Sequence, residues 1–508
     1  MAFLAVPSVF TALVIVLVTI VLLKIIAALY KQQTYWKHKN VLYLKSNPVL
    51  GVGWKFFARR MTIAELGEAI YYSYPNARYV ANMDRTLPVI TLRDPELIRE
   101  VAVKNFDHFM DHKVFFQESN NPLFMKNVFA LRGERWREMR SILSPSFTGS
   151  KMKFMFELIS KCSQDFVDYL YAHPEYSSSF ELKDAFTKYT NDVIATSAFG
   201  ISVNSMENPE NEFFTNGRNV FSSIMNNVPK LLLLSTFPRL AKALGLRLIP
   251  SDITYFFSKI ISETLKVREE QGIVRPDMLH LLMQARDTEK HQMTVEDIVS
   301  QAFIFFLAGF ETSANLMCFF LYELALNPDI QEKLREEVDR SMDEGNGTIS
   351  YDILMKMEYM EMVTSETLRK YPALIIIDRV CTKEYEFPPA EDGYNSATMY
   401  PDSLIHLPVY ALQHDPKYFP DPEKFDPERF RDPSKITPYT YFPFGIGPRK
   451  CIGDRFALME TKIVIAHLLH RFVVKRIEKT QVPLVFKKWT MNLAPEKGFW
   501  VGLEKRFA

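Results

Sequence analysis

The sequence predicts a mainly helical fold with a small β-rich region, behind a single transmembrane helix at the N-terminus. Three observations support this fold class. An apolar run interrupted by few polar residues opens the chain and ends at Leu29. Helical patterning extends over residues 151–292, and a long apolar helix is predicted over residues 294–327. Short stretches rich in β-branched residues lie within 77–92 and 373–380, which predicts a small sheet.

The apolar run is predicted to be a membrane anchor over residues 4–29, because it has about the length that crosses a bilayer. Lysines lie in or after it, from Lys24 to Lys39, and none precedes it, so the bulk of the chain is expected on the cytoplasmic side. A cleaved signal peptide is the alternative, but the basic start and small-residue cleavage site of such a peptide are missing. Residues 30–53 are predicted to form a turn-rich linker or hinge, and residues 54–508 the main domain.

Composition excludes several classes of protein. The 61 basic and 60 acidic side chains of the 508 residues leave a net charge of +1, so there is no global case for nucleic-acid binding. The four cysteines are far apart, which favours a reducing compartment over a disulfide framework or a zinc site. They are Cys162, Cys318, Cys381 and Cys451. The 40 Phe and 22 Met fit a large apolar core or pocket.

The strongest chemical signal is a stretch near the C-terminus with the pattern Phe-x-x-Gly-x-Arg-x-Cys-x-Gly. Cys451 precedes a helical segment, where the helix dipole is expected to lower its pKa and favour the thiolate. Gly447 and Gly453 are expected to permit a tight turn and the close approach of a flat ligand. Phe444 is placed to pack on that ligand, and Arg449 to meet an anion. These features fit a haem iron held by the Cys451 thiolate, with Arg449 on a haem propionate. The alternative is a buried free cysteine in a turn.

This stretch resembles the haem-binding loop of the cytochrome P-450 family, and further family motifs lie upstream in the expected order. The resemblance covers essentially the whole chain. It implies the P-450 fold, with residues 54–508 as the haem-thiolate catalytic domain and haem b as the cofactor, its iron bound axially by Cys451.

The resemblance also implies contacts to the haem propionates. Trp136 and Arg140 lie four residues apart, on one face of a predicted helix. In the family, this tryptophan and arginine hold a propionate, and Arg379 makes a similar contact after a predicted strand. His112 is a further candidate. Without the family context, an exposed arginine beside a half-buried tryptophan is the more common arrangement.

The long helix begins with Thr294 as its predicted N-cap. Acidic and hydroxyl side chains follow its apolar middle at Glu311 and Thr312, where burial is costly unless they serve a purpose. The segment resembles the family's oxygen-activation motif. That resemblance implies that Ala308 and Gly309 open room for dioxygen, while the acid and hydroxyl relay protons.

Glu366 and Arg369 lie three residues apart, a spacing that alone usually marks a surface ion pair. In the family this pair joins a later arginine, here Arg429, in a buried charge network that fixes the loop beneath the haem. Four residues are expected to line the substrate pocket: Leu307, Ala308, Ala373 and Leu374. His467 and His470 lack a nearby carboxylate or cysteine, so no metal site is predicted there.

The activity implied by the resemblance is monooxygenation, in which one oxygen atom of O2 enters an apolar small organic substrate. The sequence has no glycine-rich dinucleotide fingerprint after a strand. Electrons are therefore expected from NADPH through a separate NADPH-cytochrome P-450 reductase; a requirement for cytochrome b5 stays open. The basic residues Arg135, Arg137 and Lys450 are candidates to dock an acidic reductase surface, and a solvated basic face is the alternative. The chain looks most like insect microsomal members that oxidise xenobiotics, which implies the endoplasmic reticulum membrane.

Two other functions are considered. A haem-thiolate isomerase or dehydratase of peroxides would need neither dioxygen nor a reductase, and such proteins often lack the acid–hydroxyl pair that Glu311 and Thr312 provide. A non-catalytic haem-binding carrier or sensor would consume no NADPH when given a reductase and apolar compounds.

Overall fold

The computed structural model describes residues 9–48, 50–113, 122–225, 227–275, 277–286 and 293–507. Helices account for 57% and strands for 9% of the chain, which confirms a mainly helical fold with small sheets. Residues 4–8 of the predicted anchor and residues 114–121, in the loop before the Trp136 helix, lie outside the described parts.

The first half of the chain is built from ten α-helices within those ranges. They are α1 (Val9–His38), α2 (Trp54–Phe57), α3 (Ile63–Tyr71), α4 (Pro95–Arg99), α5 (Pro122–Met125), α6 (Gly133–Leu143), α7 (Gly149–Ala172), α8 (Glu175–Ser178), α9 (Leu182–Ile194) and α10 (Glu212–Met225). Two of them continue as π-helical turns, α4 into Glu100–Lys104 and α9 into Ala195–Phe199.

The second half contributes ten more. They are α11 (Val228–Thr236), α12 (Pro238–Ala243), α13 (Ser251–Gln271), α14 (Met278–Arg286), α15 (Val295–Leu326), α16 (Pro328–Glu344), α17 (Tyr351–Leu354), α18 (Glu358–Lys370), α19 (Val409–Gln413) and α20 (Asp454–Arg471). In the stretch from α11 to Leu244, the exposed apolar side chains include Phe237, Leu240 and Leu244.

In the described parts of the chain, nine short strands form three small sheets. They are β1 (Tyr79–Asp84), β2 (Leu87–Leu92), β3 (Phe180–Glu181), β4 (Ile377–Val380), β5 (Tyr385–Phe387), β6 (Ala397–Met399), β7 (Leu404–Leu407), β8 (Phe472–Lys475) and β9 (Trp500–Lys505). Their orders are β1-β2-β7-β4, β3-β9-β8 and β5-β6. The predicted strand over 373–380 forms only from Ile377, because the Ile375 carbonyl accepts a hydrogen bond from Tyr410 outside the sheet.

The N-terminal helix is longer than the predicted anchor. It is long and apolar enough to cross a membrane, yet it continues without a break to His38. Near its C-terminal end the Trp36 side chain is only 1% exposed, and its indole N–H donates to the Asn82 carbonyl of β1 at 2.8 Å. Residues 30–38, predicted as linker, are therefore helix docked on the domain, because Trp36 gains more by burial there than in solvent.

Helix α15 is the core of the domain. Its predicted N-cap is confirmed: the Thr294 hydroxyl accepts from the Asp297 backbone N–H, and the Asp297 carboxylate accepts from that of Thr294. At about 1.5 Å per residue, its 32 residues extend roughly 48 Å. Like α1, it is long and apolar enough to cross a membrane, but most of it is buried among other helices, as is typical of a core helix.

Candidate haem-thiolate site

The cysteine loop folds as a compact turn in front of α20. Residues Gly447–Arg449 form a 3₁₀ turn, and the Cys451 backbone N–H donates to the Phe444 carbonyl at 2.9 Å. Gly453 is the N-cap residue of α20. The loop therefore holds the cysteine at the start of that helix, as the sequence pattern indicates.

Gly447 and Gly453 of this loop differ in what they require. Gly447 has a φ of +74°, and an added Cβ would lie 1.9 Å from the Ala102 carbonyl oxygen. The backbone of Gly447 therefore lies directly against the π-helical turn after α4, and this contact requires a glycine whether or not a ligand is bound. Gly453 has an ordinary φ of −97°, and the nearest atom to an added Cβ is 3.9 Å away, in the Phe147 ring. A small residue at 453 leaves open space beside the cysteine.

The Cys451 side chain is accessible to water although protein surrounds it closely. Its pKa is raised, chiefly because burial disfavours the charged thiolate. The Gly453 backbone N–H and the charges of Arg140 and Lys450 oppose that rise without cancelling it. The sequence-based expectation of a lowered pKa is therefore wrong for the free thiol, because desolvation outweighs the helix N-terminus.

Arg449 is buried between the cysteine loop and the segment before α6. Its guanidinium lies 4.0 Å from the centre of the Trp136 ring, a cation–π contact. It donates to the Met110 and Leu131 carbonyls, each at 2.8 Å, and its nearest carboxylate oxygen is that of Asp111 at 3.4 Å. Burial lowers its pKa to about 9. The arginine thus links the loop to the α6 region, and its predicted propionate contact stays a prediction.

Arg379 is buried as well, at 1% exposure, and its Nε has no hydrogen-bond partner. Its terminal nitrogens donate to the carbonyls of Asp378 and Ile446, the latter in the cysteine loop. Burial lowers its pKa to about 10, against the opposing charge of Asp378. Among the described residues no carboxylate forms an ion pair with this guanidinium, and a buried charge is costly unless it is paired, so a bound anion would stabilise it.

Two further predicted contacts lie in the same region. Arg140 donates to the Lys450 carbonyl at 2.9 Å, and burial lowers its pKa. His112 stacks on the Phe129 ring, and its Nδ1 lies 3.2 Å from Asp378. Burial lowers the pKa of His112 despite that carboxylate.

The residues around Cys451 fit a haem. Three arginines, Arg140, Arg379 and Arg449, surround the cysteine loop, and burial lowers the pKa of each. Propionate groups would supply an anion for the buried Arg379, whose Nε lacks a hydrogen-bond partner among the described residues. The accessible thiol and the open space at Gly453 would accept a flat ring. Phe444 is half-buried in this loop, and its predicted packing on the haem stays a prediction.

Helix α15 presents its predicted oxygen-activation residues in different directions. Ala308 and Thr312 are exposed within a largely buried helix, so both face open space. The Thr312 hydroxyl donates to the Ala308 carbonyl at 2.6 Å. An added Cβ at Gly309 would lie 2.8 Å from Cδ1 of Ile194, so this glycine is needed where α15 packs on α9. Its predicted place beside dioxygen is untested.

Glu311 faces the other way, towards a surface cavity of about 390 Å³. Its carboxylate lies 2.6 Å from Nζ of Lys183 on α9, and the same ammonium donates to Asn315 at 2.8 Å. This acid therefore forms an ion pair at the edge of that cavity.

The predicted charge network is present and buried. Arg369 binds Glu366 through two hydrogen bonds, of 2.7 and 2.9 Å, and both side chains are fully buried. Arg429 lies 3.5 Å from the same carboxylate, whose pKa is raised by burial against the opposing charges of both arginines. The Glu366 carboxylate also accepts from the Asp426 backbone N–H. The network ties α18 to the loop before the cysteine turn.

The predicted pocket residues differ in exposure. Leu307 and Ala373 are half-buried, and Leu374 is 51% exposed. Among the described residues no group of three or more His, Cys, Asp or Glu side chains that could hold a metal ion is found. The His470 ring instead faces Asp339 at 3.1 Å.

Sequence reasoning missed three contributors to this region. Lys183 is the partner of Glu311, Asp111 is the carboxylate beside Arg449, and Ala102 is the carbonyl against Gly447. Each comes from a segment distant in sequence, and no local pattern marks it.

Comparison with known proteins agrees with this architecture. A family model described as "Cytochrome P450" matches residues 80–502. "Cytochrome P450 9e2" of Blattella germanica is 43% identical, over 93% of this chain and 95% of that protein. "Cytochrome P450 9c1" of Drosophila melanogaster is 37% identical, over 93% and 94%, and "Probable cytochrome P450 9f2" of the same organism is 38% identical, over 93% and 95%.

The fold and the cysteine loop are thus those of a haem-thiolate class of enzyme. The chain belongs to the cytochrome P-450 family, and it is a monooxygenase.

Proposed function

We propose that this protein inserts one oxygen atom of O2 into apolar small organic substrates, including xenobiotics such as insecticides or plant compounds, using electrons that a separate reductase takes from NADPH. The observation that carries the proposal is the cysteine loop, with its accessible thiol and three buried or half-buried arginines. The substrate class comes from the resemblance of the sequence to family members that oxidise xenobiotics, and the similarity to cytochromes P-450 of two insects supports the monooxygenase chemistry.

In this proposal the Cys451 thiolate holds the haem iron, while Arg379, Arg449 and Arg140 balance the propionates, with Trp136 supporting Arg449 by its ring. His112 supports the same group of side chains through its contact with Asp378. The haem, when bound, supplies the redox chemistry that splits dioxygen. The network of Glu366, Arg369 and Arg429 keeps the loop beneath it in place.

The protein's own part in the reaction is to position the substrate and deliver protons. Thr312 holds its hydroxyl on the Ala308 carbonyl, so the oxygen lone pairs stay available to accept a proton donor from the open space. Glu311 and Lys183 lie at the surface cavity, whose water is the proposed source of the protons. Half-buried Leu307 and Ala373 give that space apolar walls, which favours substrates of low polarity.

The reductase that supplies electrons is proposed to dock on the basic face around the cysteine. Arg135 is exposed there, while Arg137 is paired with Asp107 and Lys450 with Asp454. An acidic reductase surface would compete with Asp107 and Asp454 for Arg137 and Lys450. Cytochrome b5 is a second candidate electron donor. The apolar α1 supports a single-pass location in the endoplasmic reticulum membrane with the domain in the cytoplasm.

The first test is the difference spectrum of the reduced protein with carbon monoxide. Thiolate ligation by Cys451 predicts a strongly red-shifted Soret band that Cys451→Ser abolishes. Cys162→Ser, which alters a half-buried cysteine away from the loop, is the matched control and should keep the band. A band of the histidine type, or no band, would overturn the proposal.

Turnover separates the proposed activity from the other haem-thiolate function. With reductase, NADPH and apolar substrates, the monooxygenase should consume NADPH and form hydroxylated or epoxidised products. Thr312→Ala should lower product formed per NADPH. Rearrangement of organic peroxides without NADPH, at a rate unaffected by Thr312→Ala, would instead indicate an isomerase.

A further inference from the structure

A buried amide lies on α15 about two turns before Ala308, and nothing in the proposed mechanism uses it. Gln301 is 0% exposed, and the six residues that follow it, 302–307, are all apolar. Burial of an amide is costly unless its donor and its acceptor are both bound. Both are bound here, and in each case the partner is the backbone of one distant segment.

The segment that Gln301 binds consists of residues 126–131, which we call the bridging segment. The Gln301 amide group donates to the Lys126 carbonyl at 2.9 Å, and its Oε1 accepts from the Val128 backbone N–H at 2.8 Å. Nearer the surface, Nζ of Lys126 lies 2.5 Å from the carboxylate of Glu296, also on α15. The bridging segment is therefore fixed to α15 by its backbone as well as by a side chain.

The bridging segment is itself tightly folded around Asn127, which is 0% exposed. The Asn127 side-chain carbonyl accepts from the backbone N–H groups of Phe129 and Ala130, both at 3.0 Å. Its amide donates to the Phe124 carbonyl at 2.6 Å. Because these bonds lock the turn internally, a shift at its contact with α15 moves the rest of the segment too.

The opposite side of the bridging segment holds Arg449. The Arg449 guanidinium donates to the Val128 carbonyl at 3.2 Å, so Val128 accepts from Arg449 while its own N–H donates to Gln301. The neighbouring Phe129 ring stacks on His112, with 5.1 Å between the ring centres. The bridging segment thus joins α15 to two residues that are proposed to lie at the haem propionates.

We infer that Gln301 is a positioning residue for the haem site, which fixes Arg449 in its place beside the propionates by holding the bridging segment on α15. This inference rests on the proposed function, because Arg449 meets a propionate only if the protein binds haem. Gln301 acts through Val128 and needs no contact with haem or substrate.

The position of Arg449 has a consequence for electron transfer. The reduced haem carries one more negative charge than the oxidised haem, so a guanidinium close to it favours reduction. If the bridging segment leaves α15, Arg449 loses the Val128 carbonyl and the propionate loses part of its counter-charge. The reduction potential should then become more negative.

The test is a redox titration of the full-length holoenzyme, followed by absorbance. Gln301→Met keeps most of the side-chain volume but can bind neither Lys126 nor Val128. We expect this variant to keep the carbon monoxide spectrum of thiolate ligation and to shift the reduction potential to a more negative value. Transfer of the first electron from the reductase should be several-fold slower, because its driving force is smaller.

Gln331→Met is the matched control. Gln331 of α16 is 3% exposed and also binds backbone only: it accepts from the Val474 N–H at 2.8 Å and donates to the Leu324 and Val474 carbonyls. None of these contacts is with the bridging segment or the cysteine loop. Both glutamine variants should therefore lower the Tm, whereas only Gln301→Met should shift the potential.

The outcomes separate this inference from the proposed function. An unchanged potential in Gln301→Met with a normal carbon monoxide spectrum would overturn the inference, as would an equal shift in Gln331→Met. Gln301→Asn, whose amide is one methylene too short to keep both bonds, provides the same comparison if the methionine variant folds poorly. A wild type without the thiolate spectrum would refute the proposed function instead.

Discussion

Gly447 and the carbonyl of Ala102 are in such close contact that a Cβ on the glycine would lie 1.9 Å from the carbonyl oxygen. The glycine also has a φ of +74°, where a side chain adds about 1–3 kcal/mol of strain. Gly447→Ala should therefore displace the cysteine loop from the π-helical turn after α4. We expect lower haem content per protein and a lower Tm, measured by absorbance and thermal unfolding.

Gly393→Ala is the control for that variant. Gly393 has a φ of +89°, but an added Cβ would meet no atom within 4 Å. It should show only the backbone cost, with full haem content. Equal haem loss in both variants would mean that the contact with Ala102 has no part in it.

Removing one member of the buried charge network should prevent stable haem binding. Glu366→Ala leaves Arg369 buried at 0% exposure without its carboxylate, a change that typically costs about 3–5 kcal/mol. Haem stoichiometry and Tm of the purified protein measure the effect. Arg431→Ala, which breaks a solvent-exposed pair with Glu428, should leave both nearly unchanged. Stoichiometric haem in Glu366→Ala would refute the structural role of the network.

Glu460 predicts a specific dependence of stability on pH. Burial raises its pKa from 4.5 to about 8 in the folded chain. Between those pH values the folded state holds one more proton than the unfolded state, so the free energy of unfolding falls by about 1.4 kcal/mol per pH unit. Glu460→Gln removes this contribution. The Tm of the variant should therefore rise relative to wild type from pH 5 to about 8 and then stay level. Parallel Tm curves would contradict the raised pKa.

Trp36 is predicted to hold the end of α1 on the domain. Trp36→Ala removes a ring that is 1% exposed and its 2.8 Å hydrogen bond to Asn82, a loss of about 3–5 kcal/mol. Limited proteolysis after residue 38 should become faster, while the carbon monoxide spectrum stays normal. Trp36→Phe keeps most of the packing and should be intermediate. Unchanged cleavage in the alanine variant would show that α1 is not docked.

Local patterns predicted those parts of the fold and site whose partners are near in sequence. The cap of α15 is an example, because Thr294 and Asp297 satisfy each other's backbone N–H within one turn. The pair of Glu366 and Arg369 is similar: three residues apart on α18, they bond directly.

Features that depend on distant segments were not predicted. The Cys451 pKa was expected to fall because the helix N-terminus is visible in the sequence, whereas the desolvation that raises it comes from the fold around it. Similarly, the partner of Glu311 is Lys183, which α9 brings across from far upstream. The extension of α1 to His38 depends on a surface for Trp36 that only the assembled β1 provides.

The unbroken α1 has a consequence for how lipid influences the enzyme. The helix has 30 residues, so its apolar part up to Leu29 and its docked end up to His38 form one continuous rod about 45 Å long. If it crosses a membrane, it adjusts to a thinner bilayer by tilting. Because Trp36 joins its last turns to β1, that tilt would rotate the whole domain and turn exposed Phe237, Leu240 and Leu244 towards or away from the lipid. Membrane thickness would then influence which surface meets dissolved apolar compounds.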